Sequence, residues 1–261
     1  MSLSNDTYEI EEQLAIARKR VEGTIAADVV HVWRGLAELF NFDRFEELWT
    51  LVIECKLHKG GLDKLTPSIL VLPNLYFWIA LSGIELYRSS MCENNTKRRK
   101  RRQYLQVAKK NTKQIQQWQD NGNVNVGMQL EILLAGLEDI AGNYQQAEQH
   151  FGKAILLSGR RGFIYTQALA YEQRALYYIR KNNDRRGSRT TVGVSSSGSF
   201  NDAAQFDISQ CLTLYREWCA YGKANHVQRK FESLLQKRSR TGKSGVNNGE
   251  QQTGSSVILL G

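Results

Sequence analysis

Residues 128–162, MQLEILLAGLEDIAGNYQQAEQHFGKAILLSGRRG, constrain the fold of this 261-residue chain more than any other stretch. Small or aromatic apolar residues recur there at intervals of four and three: Ala147, Phe151 and Ala154. Because residues at these intervals lie on one face of a helix, they form a narrow surface that fits closely against a second helix. The sequence therefore predicts an antiparallel pair of helices over residues 128–158.

The earlier half of this stretch supplies the partner helix and the turn. Leu134 and Ala135 are expected to receive the second helix, and Gly142 and Tyr144 occupy the short connection. A single pair of this kind cannot bury its apolar face, so it requires stacked neighbours. The pattern resembles a tetratricopeptide unit. The expected fold is an all-α, right-handed helical-repeat solenoid in which the other repeats are degenerate.

Helical periodicity continues through most of the chain, and no alternating strand pattern competes with it. The predicted helices cover residues 8–20, 24–40, 44–58, 73–89, 101–120, 163–181, 201–219 and 223–236. The predicted organisation is an N-terminal helix at 1–23, a helical-repeat domain at 24–236 and a disordered tail at 237–261. Flexible loops are expected at 90–100 and at 183–199, where Arg, Gly and Ser predominate.

The apolar stretch at residues 67–87, PSILVLPNLYFWIALSGIELY, is predicted to be a buried repeat helix and not a membrane span. A helix that crosses a bilayer needs about 20 apolar residues with few interruptions. Here Pro73 breaks the run early and Glu85 lies inside it. We therefore expect no membrane span, and the polar N-terminus does not match a secretory signal.

The sequence offers no arrangement typical of a metal, cofactor or catalytic site. The four Cys and four His residues show no spacing of metal ligands, so reduced, buried thiols in a cytoplasmic protein are expected. TGKSG at 241–245 has the end of a phosphate-binding loop, but no buried strand precedes it. Glu138 and Asp139 are adjacent in sequence and point to different parts of a helix surface. We expect no cofactor and no catalytic residue.

Two groups of residues are candidate binding surfaces. A polar and aromatic stripe at helical spacing is expected to line a protein-binding groove: Gln167, Tyr171, Arg174 and Tyr178. A run of six cations is the second: Lys97, Arg98, Arg99, Lys100, Arg101 and Arg102. The run fits a nuclear-localisation or nucleic-acid patch, and it also fits a solvated loop. The five Trp residues are expected to pack in the core.

From Pro73 to about Leu235 the chain resembles the tetratricopeptide-like region of very large signalling proteins that also carry protein-kinase-like, AAA ATPase, GAF and histidine-kinase domains. Five segments carry the resemblance, in order: PNLYFWIALSGIELYR, KNTKQIQQWQDNGNVN, GNYQQAEQHFGKAILLS, GFIYTQALAYEQRALYYIR and LYREWCAYGKANHVQRKFESLL. No ATPase motif precedes them and no kinase or GAF sequence follows.

The resemblance implies a non-catalytic protein-interaction or regulatory scaffold in signal transduction, whose partner is a protein or peptide such as an ATPase or kinase module. One alternative is a fragment of a larger ATPase or histidine kinase. The other is a basic nuclear or nucleic-acid adaptor built around Lys97 to Arg102, which would bind phosphates weakly and in a salt-sensitive manner. The expected location is cytoplasmic, or nuclear through the same run.

Overall fold

The computed structural model describes residues 34–59, 72–92, 98–187 and 197–241, which are helices joined by turns with no strand among them. The first helix, α1, covers the described residues 34–41. It is followed by α2 (Phe45–Glu54), α3 (Leu72–Ser89), α4 (Arg98–Asp120), α5 (Gly127–Ala141), α6 (Tyr144–Arg160), α7 (Ile164–Gly187), α8 (Ser197–Glu217), α9 (Tyr221–Lys230) and α10 (Glu232–Thr241). Short 3-10 helices lie at Leu57–Lys59, Ser90–Cys92 and Val124–Val126.

The all-α prediction is confirmed, and several helix boundaries differ from those expected. The basic segment predicted as a loop at 90–100 is helical from Arg98 onward. At the second predicted loop, 183–199, α7 continues to Gly187 and α8 begins at Ser197. Arg, Lys and Gln have high helix propensity, so charged composition alone is a poor indication of a loop.

The C-terminal elements also depart from prediction. The closing helix expected at 223–236 is interrupted at Phe231 and becomes α9 and α10. The latter reaches Thr241, inside the tail that was predicted to be disordered from 237. The predicted helix at 1–23, the start of the one at 24–40 and residues 242–261 lie outside the described residues.

The helices pack as sequential pairs. Pairing is most extensive between α3 and α4, α5 and α6, and α7 and α8, and the first helices of these pairs also touch one another. The predicted contact residues Ala147, Phe151 and Ala154 are fully or almost fully buried, and so are Ala204, Ile208 and Tyr215 of α8. The small and apolar spacing in the sequence therefore marks the helix contacts correctly.

The most deeply buried helix is α3, the segment whose apolarity invites comparison with a membrane span. Twelve of its residues are buried, and they point in every direction around its axis. A helix that is apolar all round belongs in the interior of a protein or a membrane. None of the helices in the described ranges combines the length and apolarity that crossing a bilayer requires.

Five turns between helices share one backbone geometry. Each contains a residue with positive φ: Asp43, Gly122, Gly142, Gly162 and Cys219. The next residue donates its N–H to the carbonyl five positions earlier, at 2.8–3.0 Å in all five turns. This bond satisfies a carbonyl that the helix end leaves free. Gly142, at φ 83°, adopts the left-handed conformation without steric cost, whereas Asp43 and Cys219 adopt it with a side chain.

Ion pairs join the first helices of the three pairs. Arg88 of α3 donates to Asp139 of α5 at 2.7 Å and to the Gly136 carbonyl at 3.0 Å. Arg180 of α7 donates to the same Asp139 carboxylate at 3.0 Å, and Glu85 lies beside Arg88. One carboxylate of α5 therefore connects α3 to α7. Burial lowers the pKa of Arg88, while the charges of Glu85 and Asp139 act in the opposite direction.

A second buried network brings the two ends of the described chain together. Glu172 of α7 accepts hydrogen bonds from Tyr215 Oη at 2.9 Å and from Lys223 Nζ at 3.0 Å. Lys230 lies 3.7 Å from the same carboxylate and also contacts Asp43, in the turn between α1 and α2. Burial favours a raised pKa for Asp43, but the hydrogen bond from His226 and the nearby lysines more than offset it, so the pKa lies well below its ordinary value.

A single methyl group is expected to disturb the contact between α3 and α4. A Cβ at Gly83 would lie 2.9 Å from the Tyr104 carbonyl oxygen, and backbone atoms cannot move aside cheaply. We expect Gly83→Ala to lower the free energy of unfolding by about 1–3 kcal/mol, measured by urea denaturation. Gly152→Ala is the matched control, because a Cβ there meets nothing within 4 Å. It should raise stability by roughly 0.5–1 kcal/mol, and equal effects at both sites would contradict the close approach.

Candidate functional site

A cavity of about 540 Å³ lies where the starts of α3, α5 and α7 meet. These three ends share one side of the molecule because consecutive helices run in opposite directions. The cavity is lined by Pro73, Asn74, Asn123, Asn125, Val126, Met128, Gln129, Gly162, Phe163, Ile164, Tyr165, Thr166 and Trp218. We call it the hairpin-end pocket. Its volume falls in the range of about 300–1,000 Å³ that is typical of ligand sites.

Side-chain amides supply the polar part of the hairpin-end pocket. Gln129 Nε2 donates to Asn74 Oδ1 at 2.6 Å, which joins the first turns of α5 and α3. The Asn125 N–H donates to Asn123 Oδ1 at 3.2 Å, within the 3-10 turn before α5. Each amide has both donors and acceptors, so the pairs that these bonds form retain further hydrogen-bonding capacity. The amides can therefore meet a ligand that both donates and accepts.

Aromatic side chains form the apolar part of the same pocket. Trp218 is 51% exposed and Phe163 is 40% exposed, although both are large apolar groups. The Trp218 ring lies 4.8 Å from the Tyr165 ring, whose hydroxyl donates to Asn41 Oδ1 at 2.8 Å. Burial, followed by the charge of Glu172, raises the pKa of Tyr165, so its hydroxyl remains a donor. Trp218 is thus held in place on one side and open to solvent on the other.

The electrostatic character of the hairpin-end pocket is set by backbone groups. Among its lining residues there is no carboxylate, amine, imidazole or guanidinium. The starts of α5 and α7 carry the partial positive charge of a helix N-terminus, although the Gly127 N–H that opens α5 already donates to the Val124 carbonyl. The pocket therefore presents hydrogen-bonding groups and aromatic surface, and it favours a neutral or weakly anionic ligand.

The polar and aromatic stripe of α7 that was predicted to line a groove faces neighbouring helices. Tyr178 is only 8% exposed and donates to Glu148 Oε1 of α6 at 2.7 Å. Arg174 makes two bonds of 2.7 Å to the Asp207 carboxylate of α8. Burial, followed by the bond to Glu148, raises the pKa of Tyr178. These two residues join α7 to its neighbours, so they are not part of an open groove.

The other two members of the stripe are half-buried. Tyr171 packs against the apolar cluster between α7 and α8, with the Arg174 guanidinium 5.5 Å from its ring centre. The Gln167 amide fills the space that a side chain at Gly159 would need. The helical spacing places the four residues on one side of α7, as expected, but that side faces neighbouring helices.

The predicted basic run forms the first turn of α4 and the residues that follow it. Arg98, Arg99, Lys100 and Arg102 are exposed, Arg101 is half-buried, and Lys97 lies outside the described residues. Within the part of the chain that the structure describes, no ion pair joins these side chains to an acidic residue. The run is therefore an accessible cationic surface.

Trp218 and the amides of the hairpin-end pocket were not predicted from the sequence. Trp49 and Trp78 are buried as expected, but the prediction that every Trp packs in the core is wrong for Trp218. The position of these residues beside turns between helices could have identified them as candidates. Asn123, Phe163 and Trp218 each lie within one residue of a turn position with positive φ, and such turns recur at the same end of an array of antiparallel helices.

The described residues contain no group of three or more His, Cys, Asp or Glu side chains arranged to hold a metal ion. Cys55, Cys211 and Cys219 are free thiols. Burial raises the pKa of the Cys211 thiol, which keeps it protonated. In comparisons with known proteins, no family model, curated protein or solved structure matches this chain.

Proposed function

We propose that this chain is a tetratricopeptide-like, right-handed solenoid that acts as a non-catalytic protein-interaction scaffold. Three observations support stacked repeats: the sequential pairing of helices, the contacts between the first helices of successive pairs, and five turns of equal geometry. Asp139 of α5 accepts hydrogen bonds from Arg88 of α3 and Arg180 of α7, so it links the first helices of three successive pairs. Stacked pairs of this kind create extended surfaces that hold partner proteins.

The hairpin-end pocket is the observation that carries the proposal. Exposed aromatic rings such as Trp218 and Phe163 are typical anchors of protein interfaces. Amides such as Asn74 and Gln129 match the alternating donors and acceptors of an extended peptide backbone. We infer that the pocket holds an extended, uncharged segment of a partner, with an apolar side chain against Trp218.

The setting in signal transduction, with an ATPase or kinase module as partner, remains part of this proposal. It rests on the resemblance of residues 73–235 to the repeat region of large signalling proteins. The alternative, that the chain is a fragment of such an ATPase or histidine kinase, shares the same binding role for the described residues.

A peptide selection tests the pocket. Random twelve-residue peptides displayed on phage are selected against the full chain, and the recovered peptides are titrated while the fluorescence of Trp218 and the other Trp residues is recorded. We expect Trp218→Ala to weaken the recovered peptides by at least about tenfold, in line with the loss of an aromatic anchor. The peptides should be poor in charged residues.

Phe206→Ala is the matched control, because Phe206 is 54% exposed and does not line the pocket. It should leave peptide affinity unchanged. Recovered peptides that bind Trp218→Ala as tightly as the parent would contradict the proposal, as would equal weakening by both substitutions. A second variant, Gln129→Leu, separates hydrogen bonding from apolar contact and should also weaken binding.

A further inference from the structure

The helix α4 carries an unusually one-sided charge. Between Arg98 and Lys113 it has eight cations, and its first acidic residue is Asp120 at its last position. The cations are Arg98, Arg99, Lys100, Arg101, Arg102, Lys109, Lys110 and Lys113. Three of these, Lys109, Lys110 and Lys113, lie beyond the run of consecutive cations that ends at Arg102. Because α4 begins at Arg98, all eight belong to one continuous helix.

Helical geometry collects six of the eight cations on one strip. With about 100° of rotation per residue, these six fall within an arc of roughly 120° and span about 22 Å along the axis. They are Arg98, Arg99, Arg102, Lys109, Lys110 and Lys113, all exposed. We call them the α4 basic strip. Gln106 lies in the same arc among the cations, and Gln117 and Asp120 lie in it beyond the last cation; all three are exposed.

The opposite side of α4 is already occupied. Tyr104, Val107, Ala108 and Ile115 are buried in the apolar core, where α4 packs on α3. In the described ranges, no acidic side chain forms an ion pair with a member of the α4 basic strip. The helix is therefore fixed in orientation by its apolar side, and its cations face outward without neutralisation from neighbouring helices.

The side-chain types of the α4 basic strip indicate which class of molecule it can bind. Between the cations the exposed residue is Gln106, so the strip lacks an apolar anchor of the kind found in protein interfaces. The apolar residues of α4 are used in the core and cannot insert into a lipid surface. It also lacks the aromatic side chains on which the bases of a single strand stack. Arg, Lys and Gln all donate hydrogen bonds to phosphate oxygens.

We propose that the α4 basic strip binds the phosphate backbone of double-stranded nucleic acid without sequence preference. A duplex carries one charge per about 1.7 Å of axis with both strands counted, so a duplex segment as long as the strip, about 22 Å, carries about twice as many phosphates as the strip has cations. The cations of the strip are therefore matched in charge and in length to the phosphates along one side of a duplex. This activity is separate from peptide binding at the hairpin-end pocket, because no residue of α4 lines that pocket.

Fluorescence anisotropy with the full chain tests the strip. Two labelled 20-base-pair duplexes of unrelated sequence are titrated between 50 and 200 mM salt. The parent should bind both equally, with a steep loss of affinity as salt rises. Replacing Arg102, Lys109 and Lys113 with Gln should raise the Kd at least about tenfold and reduce the slope of log K against log salt by about 2–3. Circular dichroism checks that the variant folds.

The matched control removes the same charge elsewhere: Lys153→Gln, Arg160→Gln and Arg229→Gln, at three exposed positions on α6 and α9. It should keep the parent's affinity within about threefold. Equal weakening in both variants would overturn the proposal, because net charge alone would then explain binding. The strip variant is also tested with vesicles of phosphatidylcholine and phosphatidylserine. If it lost the parent's binding to these vesicles but bound the duplexes as tightly as the parent, the proposal would be overturned in favour of a lipid surface.

Discussion

Replacing Ala154 with glutamate should unfold the central pair of helices or loosen it markedly. Ala154 is fully buried at the contact of α6 with its neighbours, in the same apolar core as Leu169 and Ala170. A carboxylate there would be buried among apolar side chains, and its larger size would force apart helices that are in contact at Ala154. We expect the free energy of unfolding to fall by about 3–5 kcal/mol, the cost of an uncompensated buried charge.

The measurement is a thermal melt followed by far-ultraviolet circular dichroism. Because domain stabilities are commonly about 5–15 kcal/mol, the variant should lose a large share of its stability. Leu156→Glu on the same helix is the control, since Leu156 is 52% exposed. It should melt within a few degrees of the parent. A melting temperature for Ala154→Glu equal to that of the parent would show that the α6 contact is wrongly assigned.

Replacing Glu172 with glutamine should be comparably destabilising, although the two side chains are nearly the same size. The Glu172 side chain is 1% exposed and lies 3.0 Å from the Lys223 ammonium, which is 7% exposed. Removing the negative charge leaves the buried Lys223 ammonium with only the more distant Asp43 carboxylate, 4.0 Å away, and weakens the bond from Tyr215. We expect a loss of about 3–5 kcal/mol in the free energy of unfolding, measured by guanidinium denaturation.

A double-mutant cycle distinguishes charge from packing in this network. Glu172→Gln combined with Lys223→Met removes both partners, so the double variant should be more stable than the sum of the single effects predicts. Glu38→Gln is the control, because the pair between Arg34 and Glu38 is solvent-exposed. It should cost less than about 1 kcal/mol. If Glu172→Gln also lowered the free energy of unfolding by less than about 1 kcal/mol, the buried network would contribute little to stability.

The helices themselves were predictable because helix formation depends on neighbours in sequence. The spacing of Ala147, Phe151 and Ala154 identified a contact face, and all three residues are buried. The apolar stretch after Pro73 was correctly interpreted as an interior helix. Helix boundaries were less predictable where charged residues predominate. For example, Arg98 begins a helix although the polar, basic composition around it is typical of a loop.

The binding surfaces were only partly predictable. The stripe of Tyr171, Arg174 and Tyr178 has the right spacing for one side of α7, but spacing does not reveal what that side faces. Asp207 and Glu148 occupy it from neighbouring helices. Trp218 shows the converse, because its position beside a turn indicates the end of the helix array where it lies but does not indicate that its ring is half exposed.

The sequence by itself determined the helical character of the described residues, the central pair of helices and the cationic run that opens α4. These features follow from periodicity and charge within a few turns of chain. Only the tertiary structure decided that the starts of α3, α5 and α7 meet around the hairpin-end pocket, and that Glu172 joins Tyr215 to Lys223. The reason is physical: these groups lie tens of residues apart, and their proximity depends on how whole helices rotate and stack against one another.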